Sequence, residues 1–128
     1  MKLVIGGAFQ GKKEYALHTF QIKESQVTDG ILCEKDEIFR AEMVVHFHEY
    51  VRRFLNEEAF LQELPERLMK ENPDVVLVTN ELGYGVVPMD AFDRAYRERT
   101  GRLCCVLARE ANEVHRVVCG IGTVIKDA

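Results

Sequence analysis

Residues 3–14, LVIGGAFQGKKE, constrain this chain more than any other stretch: an apolar run enters a glycine-rich turn, a lysine follows, and a helix-like segment begins. The spacing of Gly6, four residues, Gly11 and Lys12 is that of a phosphate loop, whose glycines let successive backbone N–H groups converge on the phosphates of a nucleotide. Lys12 would hold the outer phosphates. The cradle would comprise Gly6, Gly7, Ala8, Phe9, Gln10, Gly11, Lys12 and Lys13. The full pattern next requires Ser or Thr, whose hydroxyl binds magnesium, and here Lys13 stands in that place. The plainer alternative is that the glycines only make a strand-to-helix turn.

The rest of the composition narrows the setting. A chain of 128 residues, 47% of them apolar, matches a single domain over residues 1–128 with one core. A formal charge of −4 without a long basic cluster argues against nucleic acid as a partner. Glycines follow the first apolar run at once, so neither a signal peptide nor a membrane span is read, and the cytoplasm is the expected compartment. Cys33, Cys104, Cys105 and Cys119 form no CxxC pair and no even disulfide spread, and read as reduced, mostly buried thiols.

Beyond the loop, residues 12–20 carry Tyr15, Ala16 and Phe20 near helical spacing, and this helix would offer its amino-terminus to phosphate. Residues 26–28 suit a short strand, Asp29-Gly30 a turn, and residues 37–42 a short helix. Val44 and Val45 favour an extended entry into a helix over residues 48–55. In residues 56–72, Phe60, Leu61, Leu64 and Leu68 fall at helical spacing; Asn56 is an N-cap candidate and Pro65 a kink or divide. The run VVLV at residues 75–78 reads as a parallel strand buried on both faces, with Thr79, Asn80 and Glu81 at the carboxyl end, where open α/β sheets bind ligands. Pro88 is placed to start a helix that Gly101 interrupts, with Asp93 and Arg97 paired across one turn. Residues 103–107 suit helix better than strand; residues 114–119 suit a strand, with a turn at residues 120–122 before a last extended segment.

With these blocks in order, the chain resembles the adenosylcobinamide kinase and adenosylcobinamide-phosphate guanylyltransferase family. GGAFQGK at residues 6–12 looks like that family's phosphate loop, which usually reads GGxxSGKS; VVLVTNELGYGVVP at residues 75–88 resembles its central block; and Gly101-Arg102-Leu103 through VVCGIGTVIK resembles its carboxyl-terminal region. The resemblance implies a RecA-like P-loop NTPase fold, a mostly parallel sheet flanked by helices, with helix over residues 102–112. It implies GTP or ATP as nucleotide, a corrinoid acceptor, a homo-oligomer, and two chemistries: phosphorylation of the cobinamide aminopropanol hydroxyl, then GMP transfer through a guanylylated histidine. Gly6, Gly7, Gly11 and Lys12 carry over as phosphate-binding positions, Asn80 and Glu81 as part of the matching loop, and Arg102 as the cation of the Gly-Arg-Leu block.

The chain departs from that pattern at Lys13, at Gln10 in place of the common Ser, and in a shorter middle that matches neither the family's histidine segment nor its acidic motif. Magnesium would then be held through water or through Glu81. His46 and His48 are the available substitutes for the guanylylated histidine, with His48 the first choice, since a helix amino-terminus favours a neutral imidazole and stabilises phosphate charge. The competing reading gives both histidines to packing. His115 reads as core or edge, and His18 receives no role. A non-catalytic nucleotide or corrinoid module, or a P-loop kinase of another small molecule, are the alternative functions.

Overall fold

The computed structural model describes residues 1–81 and 90–127. The opening apolar run is β1 (Lys2–Gly6), and the segment after the loop is α1 (Lys12–Thr19). There follow β2 (Val27–Asp29), a 3-10 turn (Lys35–Phe39), β3 (Met43–Val45), α2 (Phe47–Arg53), α3 (Glu58–Glu71), β4 (Val76–Asn80), α4 (Ala91–Glu110), β5 (Glu113–Val118) and β6 (Ile121–Asp127). The strands form one sheet in the order β2-β3-β4-β1-β5-β6. Each neighbouring pair from β2 to β5 is parallel, and β6 runs antiparallel to β5. This is the expected mostly parallel sheet flanked by helices, with the P-loop strand β1 between β4 and β5.

Strand side chains alternate between faces, and the central strands β3 and β4 are buried on both, whereas the edge strand β6 is mostly exposed. Leu3, Val44, Leu77 and Val114 join Phe47, Tyr50, Leu61, Leu64, Leu68, Leu103 and Leu107 in one cluster, beneath α2, α3 and α4. Val4, Met43, Val45, Val76, Val78 and Val117 point the other way and meet Ala16 of α1 in a second, smaller cluster. The continuous apolar run in β4 follows from this double burial: a strand with one wet face would have alternated. Gly6 and Asn80 are register partners, so the carboxyl ends of β1 and β4 lie level and the loops leaving them meet.

Several local expectations need correction. α3 starts beyond Asn56, with Glu57 at the N-cap position, and Pro65 lies inside one unbroken helix because the apolar face on both sides of it is buried. Gly101 likewise does not interrupt α4; a Cβ there would meet nothing within 4 Å, so the residue lies on an open side of a helix held by Leu103 and Leu107. Asp90 caps α4 by accepting the Asp93 N–H, and Asp93 pairs with Arg97 as the spacing suggests. The turn after β5 is tighter than expected, and β6 begins at Ile121. Of the cysteines only Cys33 is buried; Cys104 is intermediate, and Cys105 and Cys119 are exposed. The expectation for Pro88 lies outside the described residues.

Candidate functional site

The loop after β1 is shaped by what its glycines admit. A Cβ at Gly6 would stand 2.5 Å from the Val117 carbonyl oxygen and 3.3 Å from the Lys12 stem, so only glycine lets the lysine fold back so closely. Phe9 and Gly11 have φ of 59° and 79°, while Gln10 between them does not share the positive φ. Alternation of this kind turns successive N–H groups toward one point and makes an anion-binding nest. α1 starts at Gly11 with no side-chain cap, which leaves its first N–H groups for a ligand. Lys12 is buried, its Nζ donating to the Gly7 carbonyl at 2.7 Å. Burial pushes its pKa down, against the opposing pull of Glu81. Gln10 fastens the loop to the β5–β6 turn: its side-chain oxygen accepts the Cys119 N–H at 2.6 Å and its carbonyl accepts the Gly120 N–H at 2.8 Å.

Opposite the loop stand the two histidines. Asp29 and Val45 are register partners at the ends of β2 and β3, and His46, the next residue, turns into the left-handed region at φ 54° to start α2. Its Nδ1 lies 3.0 Å from Asp29 Oδ1. Burial works against the Asp29 carboxylate, yet the Ile31 N–H and the His46 ring hold its pKa below the ordinary value. An imidazole that donates Nδ1–H to a carboxylate carries its lone pair on Nε2, the form suited to a nucleophile or a base. His48, buried two residues further on, is arranged differently. Its Nδ1 accepts the Asn80 N–H at 3.1 Å, and its Nε2 is 3.9 Å from Glu49 Oε1. Burial first, then the charges of His46 and Lys12, lower its pKa to about 4. His48 is therefore neutral near pH 7, with its lone pair spent on a backbone amide and its proton on Nε2. Sequence reasoning puts His48 first of the two; in the structure the Asp29 contact leaves the lone pair of His46 to Nε2, while the lone pair of His48 faces the Asn80 N–H.

One cavity of about 340 Å³ joins these parts. Residues 8–14 form one wall, and Val45, His46, His48, Val78 and Asn80 form the other. Its polar groups are what phosphoryl or nucleotidyl transfer needs: a nest and an ammonium for phosphate oxygens, and an imidazole lone pair for a phosphorus centre or an acceptor proton.

A resident magnesium ion does not fit the side chains found here. Position 13 offers an ammonium, and the Lys13 Nζ is 2.5 Å from Glu24 Oε1. Glu81, the other expected metal ligand, gives both carboxylate oxygens to Arg116, at 3.0 and 3.5 Å. Among the described residues no group of three His, Cys, Asp or Glu could hold a metal ion. Glu81 reaches the loop instead through its backbone N–H, which donates to the Gly6 carbonyl at 2.8 Å.

Other expected positions lie elsewhere. Arg102 is on α4, pairs with Glu98 at 3.3 Å, and borders a separate cavity between α3 and α4. Thr79 is fully buried in β4. His115 is buried between Tyr15 Oη at 2.7 Å and Glu113 Oε1 at 2.9 Å, a structural role. Residues 82–88 of the central block are outside the described residues. Asp29 was missed in the sequence because an Asp-Gly pair reads first as a turn; its signal would have been that β2 and β3 end level.

Comparison with known proteins adds the following. A family model described as cobinamide kinase / cobinamide phosphate guanyltransferase matches residues 32–125. That match begins after the loop, so the loop geometry is independent support. The bifunctional adenosylcobalamin biosynthesis protein CobU of Escherichia coli is 54% identical over 52 residues, and that of Salmonella typhimurium is 52% identical over 52 residues. Each alignment covers 41% of this chain and 29% of the relative, so the matched stretch spans less than a third of the curated proteins' length.

Proposed function

The chain belongs to the cobinamide kinase / cobinamide phosphate guanyltransferase family, and on that premise we propose that it is a nucleotide-dependent transferase of cobalamin biosynthesis, carrying a phosphoryl or guanylyl group from GTP or ATP to adenosylcobinamide or its phosphate. The observation that carries this reading is that Lys12 and the Asp29-oriented His46 line the same cavity. The nest and Lys12 bind the phosphates, and Gln10 holds the loop in that shape. For guanylyl transfer, His46 Nε2 attacks the α-phosphorus of GTP; an N–P bond forms, the bond to the bridging oxygen breaks, and pyrophosphate leaves. A phosphate oxygen of the corrinoid then attacks the same phosphorus and returns the imidazole. For phosphoryl transfer, the same Nε2 takes the proton of the acceptor hydroxyl as that oxygen attacks the γ-phosphorus, the bond to the β–γ bridging oxygen breaks, and the nucleoside diphosphate leaves. His48 positions Asn80 at the far wall in either case.

Incubation with GTP or ATP and adenosylcobinamide, followed by mass spectrometry, tests the reading. A corrinoid heavier by a phosphoryl group or, from the phosphate, by a GMP moiety is expected, and its formation should vanish in Lys12→Ala. No modified corrinoid with either nucleotide would overturn it. Among the described residues no helix is long and apolar enough to cross a membrane. Oligomerisation belongs to the same proposal, since the family resemblance implies sites near subunit boundaries.

A further inference from the structure

The misfit between the loop and magnesium has a positive counterpart. Lys13 borders the cavity beside Lys12, one residue into α1, where the usual phosphate loop holds its metal through a hydroxyl. Its partner Glu24 is 68% exposed and Lys13 itself 39% exposed, so the pair between them is a surface ion pair of little net worth. A triphosphate seated on the nest would bring a far larger negative charge to the same ammonium, on a flexible four-carbon stem that can swing from one acceptor to the other. The carboxylates that would recruit a metal are spent: Glu81 on Arg116, and Asp29 on His46 and the Ile31 N–H. On the cavity wall itself Glu14 is the one carboxylate among the described residues, and one monodentate group is a poor substitute for a coordination set.

We propose that this pocket binds a nucleoside triphosphate without a resident divalent cation, the Lys13 ammonium leaving Glu24 to neutralise the outer phosphates in the place the metal takes in ordinary phosphate loops. Two monovalent cations, Lys12 and Lys13, then supply the charge that one lysine and a divalent ion supply elsewhere. Glu24 is the partner Lys13 has while the pocket is empty. The inference rests on the nucleotide-binding reading above and fixes how that nucleotide is charge-compensated.

The test is isothermal titration of the full chain with GTP, once in EDTA and once in excess magnesium. Wild-type affinity should differ by less than about threefold between the two media. Lys13→Ser should bind at least about tenfold more weakly in EDTA, the loss of a charge-assisted hydrogen bond, and should recover when magnesium is added to the restored hydroxyl. Lys13→Arg keeps the charge, and should keep most of the binding in EDTA. Circular dichroism of both variants secures the comparison against misfolding, which is not expected at a half-exposed position. Wild-type binding that needs magnesium by about tenfold or more, or Lys13→Ser binding unchanged in EDTA, would overturn the inference while leaving the nucleotide reading standing. Absence of GTP binding in both media would overturn that reading together with the inference.

Discussion

His46 Nδ1 lies 3.0 Å from Asp29 Oδ1 because β2 and β3 end in register, Asp29 beside Val45. When His46 donates Nδ1–H in this contact, its lone pair lies on Nε2, on a residue that lines the cavity. Asp29→Asn removes the acceptor charge while keeping the shape, and should lower kcat about tenfold to a hundredfold with KM for GTP nearly unchanged. Steady-state kinetics check this; a rise in KM alone would make Asp29 a binding group instead.

The neighbouring histidine gives a stability signature. With a pKa of about 4 in the fold against 6.5 for the free side chain, His48 takes up a proton in the unfolded chain first as pH falls. Its contribution is complete above pH 6.5 and drains away toward pH 4, by at most about 3 kcal/mol. Urea melts across this window should show the loss in the wild type and a flatter profile in His48→Asn, whose amide oxygen can still accept the Asn80 N–H. An equal slope in both would assign the acid sensitivity elsewhere.

Gly122 has no room for a side chain. A Cβ there would come within 2.0 Å of Tyr15, the residue whose hydroxyl bonds to His115 and so ties α1 to β5. Gly122→Ala should destabilise by about 1–3 kcal/mol. Because the clash and the Tyr15 ring are one interaction, Gly122→Ala with Tyr15→Ala should lose less than the sum of the two single changes, by about 1 kcal/mol or more. Thermal or urea unfolding of the three variants measures this, and simple additivity would refute the contact.

Gln10 is the loop's fastening. Gln10→Ala strands the Cys119 N–H and should cost about 1 kcal/mol of stability. It should also weaken GTP binding several-fold, since the nest must then be ordered by the ligand. Gln10→Ser, which restores the residue common in the resembled phosphate loop, tests whether a shorter side chain can serve. Unchanged GTP affinity in Gln10→Ala would show that the nest holds itself.

Much of this architecture is written locally. The run VVLV before Thr79 signals a strand buried on both faces because neither face of β4 meets water, and the glycine spacing before Lys12 signals the nest because backbone freedom at Gly6 and Gly11 is needed for it. What local pattern did not carry were pairings made by topology. Nothing near Asp29 points to His46, nothing near Glu81 to Arg116, and nothing near Gln10 to Cys119; each pair forms only when the sheet brings distant segments side by side. The helix breaks expected at Pro65 and Gly101 failed for a related reason, since α3 and α4 are held by their buried leucines rather than by intrinsic propensity. The contacts of the two histidines, Asp29 for His46 and the Asn80 N–H for His48, likewise come from other strands and are not written in their flanking residues.

The central claim is that His46 acts on a nucleotide held by Lys12. It is tested most directly by incubating the chain with α-labelled GTP, denaturing under alkaline conditions, and asking which residue keeps the label. Wild type and His48→Asn should retain label on His46 as an acid-labile adduct, and Lys12→Ala and His46→Ala should retain none. Label that persists in His46→Ala, or a wild type that never acquires it, would contradict the account.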